Sequence, residues 1–119
     1  MKTYISGKIT GDPKYREKFQ TAKENLEKLG HIVLNPAQLP EGMTATDYMR
    51  VNFAMIDVAD IVVFLPDWRD SKGARLEHAY CEYIGKQMIF TYTKKPSQEY
   101  AYLLLDDIAD TNKVPCSRR

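Results

Sequence analysis

The sequence predicts an α/β fold: a single-domain, doubly wound (Rossmann-like, flavodoxin-like) parallel sheet of strand order 2-1-3-4 with helices on both faces. Strand-like and helix-like segments alternate from the first residues, with connections long enough for right-handed crossovers. The most apolar run, residues 61–65, is typical of a strand that is buried on both faces. Ligands of such sheets bind at the carboxyl ends of the strands, here between strands 1 and 3, where the order reverses.

The chain begins with a short strand and a clearly patterned helix. Residues 2–6 are rich in β-formers and predict the first strand, which a glycine-flanked turn follows. Asp12 and Pro13 then suit an N-cap and a first helical position, and Gly30 ends the helix. Its buried face is predicted from apolar residues at helical spacing: Tyr15, Phe19, Ala22, Leu26 and Leu29. Residues 32–34 predict the second strand.

The middle of the chain contains a loop and a second helix. The loop runs through Pro40 and Gly42, which suits a mobile flap more than packed structure. A helix restarts near Thr46, whose hydroxyl can cap it. Its inward face is predicted to consist of Tyr48, Val51, Met55 and Val58. The third strand, residues 61–65, follows.

The third helix, residues 72–84, is predicted between an N-cap at Ser71 and a stop at Gly85. One of its faces consists of Ala74, Glu77, Cys81 and Ile84. A carboxylate that faces a sheet loses its hydration, so Glu77 must be paired, protonated or used in chemistry. The alternative is that Glu77 lies at the rim of this face and reaches Arg75, Lys72 or water.

The last part of the chain predicts a fourth strand at residues 88–92 and a helix from about Pro96 to 107. We therefore expect one α/β domain over residues 1–109 and a polar C-terminal tail over residues 110–119.

Composition excludes several classes of function. The 119 residues are 44% hydrophobic and 28% charged with a net charge of +1, so nothing indicates a nucleic acid polymer or a membrane as partner. No apolar run approaches about 18 residues, and no signal peptide is apparent, which predicts a cytoplasmic protein. His31, His78 and the two cysteines lack metal-ligand spacing. With no GxGxxG or Walker A motif either, we expect no metal and no cofactor.

Three segments, residues 4–11, 59–63 and 71–77, resemble the nucleoside 2-deoxyribosyltransferase superfamily in their order and spacing. The likeness is strongest to a branch of short phage and bacterial proteins that share a Leu-Pro-x-Trp-x-x-Ser-Lys-Gly-Ala stretch, here residues 65–74. It implies that Glu77 is a nucleophile that attacks the anomeric carbon of a 2-deoxyribosyl N-glycoside. The covalent sugar ester is then taken by water or another base.

The same resemblance assigns roles to further residues. It implies that Tyr4 positions Glu77, and that Ser71 binds the 5′ end of the ligand, where serine occurs in relatives that accept a 5′-phosphate. Asn52 stands, by spacing, where the superfamily has an acid near the nucleobase. An amide cannot donate a carboxyl proton to the leaving base, but it could hydrogen-bond the base. Ser71 as a simple N-cap is a compatible interpretation.

Candidate substrate-binding residues lie in the loops after strands 1 and 3 and at the start of the third helix. They are Gly7, Lys8, Ile9, Gly11, Trp68, Ser71 and Gly73. Trp68 could stack on a base, although a lone loop aromatic also suits the edge of a core or a subunit contact. Tyr4 suits a plain core tyrosine equally well.

The leading hypothesis is an enzyme that cleaves or transfers an N-glycosidic bond of a small-molecule nucleoside or nucleotide. The alternatives are a noncatalytic nucleotide-binding domain with the same pocket, and a structural domain in which Glu77 is only an ion-pair partner. The resemblance also implies a homo-oligomer, with Tyr100, Tyr102 and Leu103 as candidate contacts.

Overall fold

The computed structural model describes residues 1–91 of the chain. Within them, four strands form one parallel sheet of order β2-β1-β3-β4, which confirms the predicted fold class and strand order. The strands are β1 (Lys2–Ser6), β2 (Ile32–Leu34), β3 (Ile61–Phe64) and β4 (Gln87–Phe90). The central strand β1 pairs Tyr4 with Leu34 on one side and with Val62 on the other.

Helices cover both faces of the sheet, and each face has its own apolar core. The helices are α1 (Tyr15–Lys28), α2 (Ala45–Val58) and α3 (Lys72–Ile84). Successive strand residues point to opposite faces, so Ile5 packs with Phe19 and Leu26 of α1. Its neighbour Tyr4 belongs to the other core, with residues of α2 and α3.

The third helix has the predicted bounds. The Ser71 hydroxyl accepts a hydrogen bond from the Ala74 backbone N–H at 3.1 Å. Gly85 ends the helix with φ of 76°, a left-handed conformation that favours glycine. The N-terminus of α3 therefore begins directly after the loop that follows β3.

The start of α1 differs from the prediction. The helix begins at Tyr15, because the Asp12 carboxylate accepts hydrogen bonds from the Lys14 N–H at 2.9 Å and from the Lys18 ammonium at 2.5 Å instead of capping a helix. Leu29 is also placed wrongly by the sequence pattern: it follows the last turn and is 51% exposed.

The buried face of α2 also differs from the prediction. Thr44, not Thr46, caps the helix, in a reciprocal pair of hydrogen bonds with Asp47. Val51 and Val58 are exposed, whereas Asn52 and Ile56 are buried. The polar Asn52 faces inward because it has a hydrogen-bonding partner there, which an apolar pattern does not reveal.

The loop between β2 and α2 is packed in its first part and exposed in its second. It contains a 3-10 turn (Pro36–Gln38) with Pro36 and Ala37 buried. The Tyr48 hydroxyl donates to the Pro40 carbonyl at 2.6 Å, and Arg16 contacts Glu41 at 2.5 Å. Residues 35–37 therefore do not form an unpacked flap, whereas residues 40–42 are exposed.

The fourth strand ends at Phe90, before the predicted end at residue 92. Several other predictions concern residues outside those described: the last helix, the tail over 110–119 and the contact residues Tyr100, Tyr102 and Leu103. Among the described helices, none is both long and apolar enough to cross a membrane.

Candidate active site

Glu77 is the centre of a buried hydrogen-bond network and is only 4% exposed. Its Oε1 accepts a hydrogen bond from the Ser6 hydroxyl at 2.7 Å. Its Oε2 accepts from the Tyr4 hydroxyl at 3.0 Å and from Asn52 Nδ2 at 3.1 Å. All three donors are uncharged.

Glu77 therefore forms no ion pair with Arg75 or Lys72 in the structure. The Arg75 guanidinium donates instead to the Arg69 carbonyl at 2.7 Å. Among the described residues, the salt bridges do not include Glu77.

Three elements bring this network together. Tyr4 and Ser6 are two positions apart on β1, so their side chains project from the same face of the sheet. Asn52 comes from the middle of α2 and Glu77 from the second turn of α3. Ser6 was not predicted as a site residue, although its spacing of two from Tyr4 is the signal that could have identified it.

The surroundings of Glu77 shift its ionisation. Burial raises the pKa of Glu77 to about 7, against the opposing effect of the hydrogen bonds from Ser6, Tyr4 and Asn52. Burial also raises the pKa of Tyr4 well above its usual value, and the neighbouring Glu77 carboxylate adds to this. Tyr4 therefore stays protonated and acts as a donor, while Glu77 is available in both protonation states near neutral pH.

Glu77 lies in the wall of a cavity of about 650 Å³ at the carboxyl ends of the strands. Such a volume is in the range of pockets that hold small molecules. The loop after β1 forms one side, and residues 70–74 form another. At Gly7 a Cβ atom would lie 3.0 Å from Leu65 Cβ, so a larger residue would require Leu65 to shift, and glycine allows the two loops to approach this closely.

Most of the predicted site residues line this cavity: Gly7, Lys8, Ile9, Gly11, Asn52, Ser71, Gly73 and Glu77. Tyr4 is fully buried and reaches the cavity only through Glu77. Two further residues line the cavity: Tyr48, which was predicted only as part of an inward helix face, and Met49, which was not predicted.

Trp68 does not line the cavity. Its ring stacks on His78 at a centroid distance of 4.5 Å and packs against Phe64 at 5.4 Å. The side chain is 8% exposed, so it belongs to the edge of a core, as in the alternative interpretation, and not to a base-stacking site.

A second buried charge network holds the two cavity loops together. The Lys18 side chain is 3% exposed, and its ammonium group donates to the Lys8 carbonyl at 2.8 Å and to the carboxylates of Asp12 and Asp67. Asp67 Oδ1 also accepts from the Lys8 backbone N–H at 3.1 Å. No sequence signal indicated this network, because a lysine in an amphipathic helix is ordinarily assigned to solvent.

Two solved structures share this fold. A 2-deoxyribosyltransferase from Bacillus psychrosaccharolyticus is 23% identical, with a TM-score of 0.64 over 93% of this chain and 82% of that one. The CMP N-glycosidase BcmB from Clostridium botulinum is 18% identical, with a TM-score of 0.59 over 92% of this chain and 82% of that one. At these identities the likeness establishes the fold. A comparison with curated proteins found no significant match.

The sequence also matches a family model, described as a domain of unknown function, over residues 1–90. This match includes the four strands, the cavity and the complete Glu77 network. The chain therefore belongs to the DUF4406 family.

Proposed function

We propose that this protein is an enzyme that cleaves or transfers the N-glycosidic bond of a 2-deoxyribonucleoside 5′-monophosphate, with Glu77 as the nucleophile. The observation that carries the proposal is the Glu77 carboxylate, buried, held by three uncharged donors and placed in the wall of a cavity of about 650 Å³. The shared fold with a 2-deoxyribosyltransferase and a CMP N-glycosidase supports the same class of reaction.

In the proposed reaction, an oxygen of ionised Glu77 attacks the anomeric carbon of the sugar. A carbon–oxygen ester bond forms while the carbon–nitrogen bond breaks, and its electron pair leaves with the base, which takes a proton from solvent. Water then attacks the same carbon and releases a proton to solvent, the ester bond breaks, and the Glu77 carboxylate is regenerated. If a second base attacks in place of water, the result is transfer.

Tyr4, Ser6 and Asn52 orient the nucleophile in this scheme. Each donates a hydrogen bond to a Glu77 oxygen, with donor-to-oxygen distances of 2.7 to 3.1 Å. An uncharged donor stabilises the carboxylate without neutralising it as a lysine or arginine would.

The 5′-phosphate is assigned to the N-terminus of α3. Ser71 lines the cavity there, and its hydroxyl already accepts from the Ala74 N–H, which leaves the earlier N–H groups of the first turn for an anion. Lys8 and Lys72 also line the cavity and add positive charge. A monophosphate should therefore bind more tightly than its nucleoside, and equal affinities in calorimetry would contradict this assignment.

The test of the proposed reaction is release of free base from a panel of 2-deoxyribonucleoside monophosphates, followed by chromatography. We expect release from at least one of them, and faster than from the corresponding nucleoside. A covalent adduct of sugar mass on Glu77, trapped with a slow substrate and detected by mass spectrometry, would identify the intermediate. A panel that yields no base and no adduct would refute the reaction.

Asn52 favours a second candidate function, a noncatalytic domain that senses a nucleotide in the same cavity. An amide cannot donate a carboxyl proton to the leaving base. Among the described residues, the other carboxylic acids that line the cavity are Glu41, which contacts Arg16, and Asp70. Nucleotide binding without base release or adduct would establish this function instead.

A further inference from the structure

The two oxygens of the Glu77 carboxylate are not equivalent. Oε2 accepts two hydrogen bonds, from the Tyr4 hydroxyl at 3.0 Å and from Asn52 Nδ2 at 3.1 Å. Oε1 accepts one, from the Ser6 hydroxyl at 2.7 Å. A carboxylate offers about four acceptor positions, shared equally by its oxygens. Donors from the described part of the chain therefore fill both positions on Oε2 and leave one position open on Oε1.

Oε1 is also held at the end of β1 that borders the cavity. Ser6 is the last residue of that strand, and the next residue, Gly7, lines the cavity. Tyr4, which donates to Oε2, lies two residues further from this strand end. Ligands of doubly wound sheets bind at the carboxyl ends of the strands, so the open position on Oε1 lies on the side where a substrate would bind.

We infer that Oε1 is the oxygen that attacks the sugar, and that Ser6, which donates to this oxygen, is a positioning residue that speeds the breakdown of the sugar ester. This inference rests on the proposed function, because it takes Glu77 as the nucleophile. Ser6 is buried and does not line the cavity, so it acts on the reaction through Glu77 and not by contact with the substrate.

The Ser6 hydrogen bond weakens and strengthens during the reaction. In the first step a lone pair of Oε1 bonds to the anomeric carbon, and the carbon–nitrogen electron pair leaves with the base, which takes a proton from solvent. Oε1 is then the singly bonded ester oxygen, which carries less negative charge and is a poorer acceptor for the Ser6 hydroxyl. In the second step water attacks the same carbon and releases a proton to solvent, and the electron pair of the carbon–oxygen bond returns to Oε1.

This hydrogen bond therefore affects the two steps in opposite directions. It stabilises the free carboxylate more than the first transition state, which slows attack. It stabilises the second transition state, in which charge returns to Oε1, more than the ester, which speeds breakdown. Tyr4 and Asn52 donate to Oε2, which becomes the carbonyl oxygen of the ester and remains a good acceptor. Loss of the Ser6 hydroxyl should therefore change the balance of the steps more than loss of the Tyr4 hydroxyl.

The experiment measures both steps with the fastest substrate of the 2-deoxyribonucleoside monophosphate panel. After rapid quenching, chromatography of the free base gives the rate of adduct formation. Mass spectrometry of the protein gives the fraction that carries the sugar, from which the breakdown rate follows. The variants are Ser6→Ala, Ser6→Cys, whose thiol is a weaker donor, and Tyr4→Phe as the matched control. Each is measured at a pH where its base release no longer rises, so that Glu77 is ionised in all of them.

We expect breakdown in Ser6→Ala to be about tenfold slower than in the wild type, as for the loss of a hydrogen bond to a charged group. Adduct formation should be at least as fast as in the wild type. Ser6→Cys should fall between the two proteins. Tyr4→Phe should slow breakdown by less than about threefold, because its acceptor persists in the ester. A merely structural role of Ser6 would instead slow both steps together.

The outcomes separate this inference from the proposed function. Wild-type breakdown rates in the Ser6 variants, slowing of both steps together, or equal slowing of breakdown in Tyr4→Phe would overturn the inference and leave the reaction standing. If one of the Ser6 variants does not fold, the other decides. A wild-type protein that releases no base and forms no adduct would refute the reaction itself, and the inference with it.

Discussion

At the scale of single residues, Glu77 combines a high pKa with a role that needs its ionised form. Burial raises the pKa of Glu77 from 4.5 to about 7, so its proton stabilises the folded state. That contribution is complete below about pH 4.5 and is lost as the pH rises through about 7. The nucleophile is the carboxylate, so activity should rise over the upper part of the same range.

The first prediction follows for Tyr4→Phe. Loss of the Tyr4 hydroxyl removes one donor to the carboxylate, which raises the pKa of Glu77 further and moves the rise in base release to higher pH. The shift should be about one pH unit, as expected for one hydrogen bond to a charged group. A pH–rate profile measures it. A profile that keeps its midpoint and only loses amplitude would show that Tyr4 does not tune Glu77.

The second prediction concerns Trp68, whose ring packs on His78 and Phe64. Trp68→Ala should lower the free energy of unfolding by about 3 kcal/mol, the usual cost of deleting a buried aromatic side chain. Nucleotide affinity should stay within about twofold, because the ring does not line the cavity. Urea denaturation and calorimetry measure the two quantities. Unchanged stability with tenfold weaker binding would restore the base-stacking role.

At the scale of structural elements, Lys18 links α1 to the loops after β1 and β3. Burial opposes ionisation of Asp12, yet the hydrogen bonds from Lys18 and from the Lys14 N–H lower the pKa of that carboxyl overall. The ammonium therefore favours the ionised form of Asp12 and lies between the carboxylates of Asp12 and Asp67.

The third prediction is that Lys18→Met destabilises the fold by about 3 kcal/mol, because it leaves Asp12 and Asp67 facing each other without a cation. It should also weaken nucleotide binding, because the Lys8 carbonyl loses its hydrogen bond to the Lys18 ammonium. The matched control is Lys23→Met on the same helix, which breaks only the more exposed pair with Glu27 and should cost less than about 1 kcal/mol. Equal effects of the two variants would contradict the anchoring role.

The elements also show which features the sequence could predict. Both ends of α3 follow local rules, a serine cap and a left-handed glycine, and these were predictable from Ser71 and Gly85. The buried face of α2 was not, because the inward residue Asn52 is polar and is held there by Glu77, 25 positions away in the sequence. Apolar periodicity cannot detect such a tertiary contact.

At the scale of the whole molecule, the alternation of strands and helices predicted the strand order. The rule that ligands of doubly wound sheets bind at the carboxyl ends of the strands predicted the position of the cavity. The parts of the candidate site that were predictable are Glu77 and the residues of the loops after β1 and β3. The Ser6 donor and the Lys18 network were missed because each is defined by contacts between distant segments.

Our fourth prediction is that the protein is a homo-oligomer in solution, with Tyr100, Tyr102 and Leu103 as candidate contacts. Sedimentation velocity at micromolar concentration should give a mass that is a multiple of 13.7 kDa. The triple substitution of these three residues by serine should reduce it to the monomer mass. A monomer at every concentration would refute the prediction.

The central claim is that the Glu77 carboxylate performs the chemistry, and base release by Glu77→Ala tests it most directly. We predict a loss of about a thousandfold or more, as for removal of other catalytic nucleophiles. The melting temperature should stay within about 5 °C of wild type, because no charged partner is left unpaired. Glu82→Ala, an exposed site on the same helix, should keep the full rate. Base release by Glu77→Ala at the wild-type rate would contradict the claim.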